Sequence, residues 1–242
     1  MYFDDRADAG RFLARRLIER ARQSEAPDGV GAPFGADALV LALPRGGVPV
    51  AYEVARALDA TLDVFLVRKL GVPGHEELAM GAIASGGVRV LNEAVVQALR
   101  IPAALIDSVA AAERDTLDRR ERHYRGERPR PAVRDRVVIL VDDGLATGAS
   151  MRAALEALGR QEPRRLIAAV PVAPLETCND IRADADEVIC ATMPRDFHGV
   201  GQWYRDFAQT SDEEVRELLA RAARAHSLRA PDRIRAEDHT RH

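Results

Sequence analysis

Residues 137–150, Val137-Val138-Ile139-Leu140-Val141-Asp142-Asp143-Gly144-Leu145-Ala146-Thr147-Gly148-Ala149-Ser150, constrain the fold of this chain more than any other stretch. Five apolar, mostly β-branched residues in succession predict a strand covered on both faces, the condition of a strand inside a parallel sheet. A helical pattern follows from Met151 to Gly159. Strand, small-residue turn and helix make the repeating unit of open α/β folds, whose sheets bind ligands beyond the carboxyl ends of the strands. Asp142 and Asp143 fall at that edge. Gly144 to Ser150 can wrap a phosphate with backbone N–H groups while the helix N-terminus adds partial positive charge. Hydroxyls of Thr147 and Ser150 can complete the cage. A βα turn that served only as punctuation would need neither adjacent acids nor Thr-Gly. A Walker A loop ends in Gly-Lys-Ser/Thr, whereas Gly148 is followed by Ala149, so that nucleotide motif is excluded.

Strand–helix alternation extends to both sides of this segment. Leu39 to Leu43 reads as a buried strand, Val48 to Leu58 as a helix and Leu62 to Val67 as a second strand, a right-handed βαβ unit. Further on, Arg165 to Val170 and Glu187 to Ala191 supply two strands around a helix near Pro174 to Ala183. The expected fold is a doubly wound, mainly parallel five-stranded α/β sheet with an added N-terminal helix and a small C-terminal hood. The pattern divides a single domain, 1–226, into the N-terminal helix (1–25), the core (37–191) and the hood with a final helix (192–226), followed by a polar tail (227–242).

Finer punctuation fills in the rest. Phe12, Leu13, Leu17 and Ile18 give Asp4 to Gln23 one apolar helical face, which the Pro/Gly-rich stretch Ala26 to Gly35 ends as a linker. Residues 70–80 contain Gly71, Pro73 and Gly74 and read as a loop. Gly81 to Ala84 and Val88 to Leu91 form a hairpin turning at Gly86-Gly87, and Asn92 caps a helix to about Leu99. Pro102 opens a helix to about Arg125 in which Asp115/Arg119, Asp118/Arg122 and Glu121/Arg125 are i,i+4 pairs, the pattern of a solvated face rather than an RNA-binding stripe. Ser211-Asp212-Glu213-Glu214 is a capping box that starts a last helix through Ala225, with a frayed tail after Ser227.

Composition excludes several function classes. The 242 residues carry 35 basic and 38 acidic side chains, a net charge of −3, which does not predict a nucleic-acid binder. The opening Met1-Tyr2-Phe3-Asp4-Asp5 is unlike a signal peptide, and no apolar run approaches the ~20 residues of a membrane span, so a cytoplasmic protein is expected. Cys178 and Cys190 form no CxxC and have no ligand-spaced His cluster, which predicts buried thiols rather than zinc or a disulfide. Lys69 is the only lysine, every other basic residue being arginine. A compact ammonium and a planar guanidinium differ most where the group must fit against phosphate, so position 69 is a candidate anion contact.

The segment at 137–150 resembles the 5-phosphoribosyl-1-diphosphate (PRPP) motif of type I phosphoribosyltransferases: hydrophobic strand, two acids, three variable residues, Thr-Gly, one residue, then Ser or Thr. The resemblance implies that Asp142 and Asp143 contact the ribose 2′ and 3′ hydroxyls and that Gly144, Leu145, Ala146, Thr147, Gly148, Ala149 and Ser150 hold the 5′-phosphate. It implies Mg²⁺ bound to diphosphate and ribose oxygens, with Asp142 and Asp143 reaching it through water. Leu43 to Pro49 is similar to the family's diphosphate-binding loop, with Arg45, Gly46 and Gly47 at the contacting positions and a cis non-proline peptide at Pro44–Arg45. Arg68 and Lys69 precede a loop that looks like the diphosphate-covering loop of adenine-type members. Its His75, Glu76 and Glu77 are the proton-transfer candidates, or else the charges of a lid that meet only water. The expected catalytic set is Asp142, Asp143, Lys69, His75 and Glu76.

Two features concern the acceptor. Members acting on 6-oxopurines carry Asp just before Thr-Gly, whereas adenine and orotate members have Ala, so Ala146 makes hypoxanthine and guanine poorer expectations. Pro194 to Phe207 places four aromatics in 11 residues of a chain with 5% aromatics. Phe197 and Trp203 either stack an acceptor base or fill a satellite core. The resemblance implies a protein that moves the phosphoribosyl group of PRPP to a nucleobase-like acceptor, and a homodimer is expected. The alternatives are a PRPP-sensing regulator on the same fold, and an enzyme acting on a ribose 5-phosphate ester without base transfer.

Overall fold

The structure is a computed structural model that describes residues 1–24, 34 and 38–238, apart from the side chains of Glu76 and of residues 227–238. The linker read at 26–35 lies, except for Phe34, outside the described residues. The chain runs α1 (Arg6–Ser24), β1 (Leu39–Ala42), α2 (Gly47–Leu58), β2 (Thr61–Val64), β3 (Val67–Val72), β4 (His75–Ala84), β5 (Val88–Leu91), α3 (Glu93–Ala98) and α4 (Ala103–Arg125). It continues through β6 (Val137–Val141), α5 (Ala149–Gly159), β7 (Arg165–Val172), α6 (Leu175–Asp180), β8 (Glu187–Thr192) and α7 (Asp212–Asp238), with 3₁₀ turns at Ile181–Ala183 and Val200–Trp203.

Two wholly apolar strands, β1 and β6, lie side by side at the centre of a five-stranded parallel sheet of order β2-β1-β6-β7-β8. Their residues alternate between two cores. Val40, Ala42, Ile139 and Val141 face the layer of α1, α2, α4 and α7, while Leu39, Leu41, Val138 and Leu140 face the layer of α5 and α6. Burial on both faces is what a run without polar alternation requires. The strand order reverses between β1 and β6, and the loops leaving their carboxyl ends therefore open onto one crevice. The doubly wound α/β expectation holds.

The stretch 62–80 departs from its expected form. The parallel strand ends at Val64. Phe65 N donates to Ala42 O at 2.9 Å, and Leu66 then exchanges hydrogen bonds with Ser85, through Ser85 Oγ and Ser85 N, both at 2.8 Å. From Val67 the chain builds a separate antiparallel sheet, β3-β4-β5, so residues 70–80 are not a long loop but a hairpin turning at Pro73-Gly74. Gly71 and Pro73 read as loop formers, yet Leu70, Val72 and Met80 bury themselves in the main core and fix both strands. The hairpin turning at Gly86-Gly87 and the Asn92 cap appear as expected, with Val95 N donating to Asn92 Oδ1 at 3.2 Å.

Three further expectations change. Glu121 and Arg125 on α4 are not solvated: they pair at 3.1 Å, both buried, and Arg125 also donates to Asp63 Oδ2 at 2.6 Å and Val64 O at 2.9 Å. Ser85 and Arg130 both donate to the Glu121 carboxylate. This network joins α4 to the end of β2 and to the hairpin. Cys178 and Cys190 are bonded to each other, with Cα atoms 6.5 Å apart, because α6 folds back on β8; spacing along the chain could not show that. The last helix starts at its cap, Glu214 N donating to Ser211 Oγ at 3.1 Å, but runs to Asp238 rather than to Ala225.

Candidate active site

The crevice at the strand-order reversal is built from two loops. Leaving β1, Leu43 N donates to Val141 O at 2.9 Å, which continues the β1–β6 pairing and fixes where the loop departs. The Pro44–Arg45 peptide is cis, as the resemblance implied. A Cβ at Gly46 would stand 2.1 Å from Asp143 Oδ2, and one at Gly47 would stand 2.8 Å from Val141 O and 3.0 Å from Asp142 Cα. Only glycines allow this loop to lie against the acid pair. Arg45 reaches across to α7, its Nη1 3.6 Å from Asp212 Oδ1. Asp212 also accepts from Tyr124 Oη at 2.6 Å, and that hydrogen bond, with Arg45, Arg120 and His123 nearby, holds its carboxyl below the usual range.

Leaving β6, Asp142 Oδ1 accepts Asp143 N at 2.9 Å, so the first acid braces the turn into the second. Desolvation pushes the Asp142 carboxyl well above its ordinary value, and the adjacent Asp143 charge pushes in the same direction. Asp143 is also raised by desolvation, against the pull of a cation delivered by α1: Arg6 Nε donates to Asp143 Oδ2 at 2.8 Å. Tyr204 Oη donates to the Asp143 carbonyl at 2.5 Å, and burial together with the Asp143 charge keeps that phenol protonated.

The turn that follows leaves most of its residues at the surface. Leu145 is buried and its N–H bonds Val172 O at 3.0 Å, while Ala146, Thr147, Ala149 and Ser150 remain exposed. Gly148 takes a left-handed φ of +70° as the N-cap of α5 and has no side chain to cap that helix start. Thr147 Oγ1 reaches Ala149 N only at 3.5 Å. Uncapped N–H groups at a helix N-terminus are donors for phosphate.

The structure assembles some of the expected residues and separates others. Gly46 and Gly47 lie against Asp143 and Asp142, from which the turn 144–150 continues, whereas the Arg45 side chain is turned to Asp212 on α7. Lys69 sits exposed on β3, its Nζ donating to Glu77 O at 2.9 Å, and lines with Asn92, Ser150 and Arg152 a cavity of about 440 Å³ between the hairpin and α5. Arg68 is taken up by α4, with Nε 2.6 Å from Glu113 Oε2. His75 is exposed at the hairpin turn, and the Glu76 side chain lies outside what the structure describes.

In the hood, Trp203 is only 9% exposed and Tyr2 stacks on it with centroids 5.5 Å apart. Phe197 packs against the same small cluster of Phe3, Ala9, Val172 and Tyr204. That arrangement is the satellite core rather than an open stacking platform. Sequence reasoning missed Arg6 and Tyr204, the two side chains that hold Asp143. The aromatic concentration at 197–207 was a signal for the second; for the first there was none.

Among the described residues no group of three or more His, Cys, Asp or Glu side chains is arranged to hold a metal, and no helix is long and apolar enough to cross a membrane. Two adjacent carboxylates do suit an ion that takes its other oxygens from substrate and water.

Residues 73–207 match the phosphoribosyl transferase domain family, a span that contains the acid pair and phosphate turn and begins after the Arg45 loop. Two Mycobacterium tuberculosis proteins (strains H37Rv and CDC 1551), each named "putative phosphoribosyl transferase", are 46% identical over 222 residues, covering 92% of this chain and 47% of their own. The chain thus spans about half the length of the curated relatives it matches. The crystal structure of TT1426 from Thermus thermophilus superposes with a TM-score of 0.74 at 45% identity, covering 90% of this chain and 98% of that one.

Proposed function

The chain belongs to the phosphoribosyl transferase domain family, and we propose that it transfers the 5-phosphoribosyl group of PRPP to a nitrogenous base and releases diphosphate. The observation that supports this most is the pairing of Asp142 and Asp143 with an uncapped, exposed phosphate turn at the point where the strand order reverses. One crevice then offers acceptors to the sugar hydroxyls and donors to the 5′-phosphate.

In this reading the turn at 144–150 anchors the phosphate and the carboxylates orient the ribose. Arg45 and the Gly46 N–H receive the diphosphate leaving group, while Gly47, whose own N–H is held by Leu43 O at 3.1 Å, lets the loop approach by lacking a side chain. The bond from the anomeric carbon to the diphosphate oxygen breaks as the base nitrogen bonds to that carbon through an oxocarbenium-like state. Catalysis is then mainly positioning and charge stabilisation, with no covalent enzyme intermediate. Lys69, on the hairpin beside Ser150, is the cation that would close over the diphosphate, and His75 with Glu76 the pair that would move a proton at the base. Asp142 and Asp143 would hold Mg²⁺ through water, and the ion, when bound, neutralises charge on the diphosphate as it leaves.

Ala146 favours an adenine-like or pyrimidine-like acceptor over a 6-oxopurine. The same reading takes the protein as a cytoplasmic homodimer. The test is diphosphate release from PRPP and Mg²⁺ in the presence of a panel of nucleobases: release that depends on one base supports transfer. PRPP binding without turnover on any base would favour a PRPP-sensing regulator instead.

A further inference from the structure

We propose that Arg6 is a positioning residue of the acid pair, fixing the Asp143 carboxylate so that a single oxygen, Oδ1, is offered to the sugar. The inference deepens the transfer reading and rests on it. The N-terminal segment is docked before α1 begins. Phe3 pairs with Tyr204 as a parallel bridge, Phe3 N donates to Trp203 O at 2.8 Å, and Arg205 N and Asp206 N donate to Phe3 O and Asp4 O, each at 2.9 Å. Asp8 N bonds Asp5 Oδ1 at 2.7 Å and sets the first turn of the helix. Arg6 is thereby aimed at the end of β6.

Its guanidinium is held on three sides. Nε donates to Asp143 Oδ2 at 2.8 Å, Nη1 donates to Ala208 O at 2.6 Å, and the Phe207 ring centroid lies 4.0 Å from the guanidinium carbon. The Arg6 and Asp143 side chains are only 12% and 14% exposed. Gly46 closes the same carboxylate oxygen from the other loop, since a Cβ there would stand 2.1 Å from Asp143 Oδ2 and 3.3 Å from Arg6 Nε. Arg6 and Gly46 thus enclose Oδ2 and Tyr204 binds the Asp143 carbonyl, so Oδ1 is the carboxylate oxygen that neither α1 nor the β1 loop takes up.

A purely structural role explains this poorly. Leu13, Ala14, Leu17 and Ala21 already bury the apolar face of α1 in the main core. Placing a guanidinium between a buried carboxylate and an aromatic ring adds desolvation cost that anchoring the helix does not require. The fork geometry of arginine does suit fixing a carboxylate's direction, because two N–H groups reach different acceptors from one rigid plane.

The test compares the affinities of ribose 5-phosphate and inorganic phosphate by calorimetry in wild type, Arg6→Gln and Arg6→Lys, with thermal melts of each. Inorganic phosphate reports the turn at 144–150 alone, whereas ribose 5-phosphate also needs the carboxylates. Arg6→Gln is expected to weaken ribose 5-phosphate by about tenfold, the scale of a lost charge-assisted contact, and to leave inorganic phosphate unchanged. Arg6→Lys keeps the charge without the fork and is expected to fall between the two, which carries the test if Arg6→Gln does not fold. Equal ribose 5-phosphate affinity in both variants, a parallel loss of both ligands, or tighter sugar binding would overturn the inference. A wild-type protein that does not prefer ribose 5-phosphate to inorganic phosphate would overturn the transfer reading as well.

Discussion

Thr177 donates its hydroxyl to the backbone carbonyl of Ala146 at 2.8 Å, so α6 forms a floor beneath the turn at 144–150. The same residue sets the space under Gly148, where a Cβ would stand 3.0 Å from Thr177 Cγ2. Thr177→Val keeps the volume and removes the donor. It is expected to cost about 1 kcal/mol of stability, the worth of one neutral hydrogen bond, and to weaken phosphate binding several-fold. Urea melts and phosphate titrations check the two parts, and an unaltered phosphate affinity would separate the floor from the site.

The neighbour of Thr177 is Cys178, and its bond to Cys190 closes a loop across a sequence separation of 12. Loop-closure entropy assigns a cross-link of that length about 3 kcal/mol. The double substitution Cys178→Ser, Cys190→Ser, or treatment of the wild type with a dithiol reductant, is expected to lower the melting temperature correspondingly. A melting temperature unaffected by reductant would contradict the bond.

Arg125 stands between Asp63 and Glu121 in the buried network that ties α4 to the sheet. Arg125→Ala leaves the buried Asp63 carboxylate without its paired cation, while Glu121 keeps Arg130, and is expected to cost about 3–5 kcal/mol at neutral pH. Burial raises the Asp63 carboxyl above 3.8, and Arg125 restrains that rise. A carboxyl raised in the folded state takes up its proton at a higher pH than in the unfolded chain. The contribution to stability is therefore present at low pH and lost as pH rises through the folded value. Without Arg125 the folded value rises further, so the deficit of Arg125→Ala relative to wild type should shrink as pH is lowered from neutral towards 3.8. Melts across that range check it; a deficit that grows as pH falls would reverse the assigned sign.

Trp203 lies under Tyr2 in the satellite core with Phe3. Trp203→Ala is expected to destabilise the fold by about 3–5 kcal/mol, as emptied buried aromatic sites do, and to leave PRPP affinity unchanged. A melt and a PRPP titration of the same variant distinguish packing from ligand contact.

What could be read in the sequence follows from the range of the interactions. The buried strand at 137–141, the acids after it and the phosphate turn are contiguous, and local chemistry specifies them. Arg45, Gly46 and Gly47 were weak as an isolated motif and legible only through their likeness to the family's diphosphate loop at the same sheet edge. Arg6 was not, because its partner Asp143 is 137 positions away and nothing local separates it from the other arginines of an arginine-rich chain. Tyr204 lies 61 positions from the carbonyl it binds. The β3–β4 hairpin was obscured by Gly71, Pro73 and Gly74, whose turn propensity outweighed the apolar spacing of Leu70, Val72 and Met80 until the main core covered those side chains. The Glu121–Arg125 pair looked like surface spacing because i,i+4 position says nothing about which face of α4 the fold buries.

Everything proposed for the crevice depends on Asp142 and Asp143 binding the ribose of PRPP where the turn at 144–150 also cradles its phosphate. The decisive experiment is calorimetry of PRPP with Mg²⁺ against wild type and the double variant Asp142→Asn, Asp143→Asn. Saturable binding is expected for the wild type and a loss of roughly 3–6 kcal/mol in the variant, the sum of two charged hydrogen-bond acceptors, with inorganic phosphate still bound. Equal PRPP affinity in the two proteins would contradict the assignment.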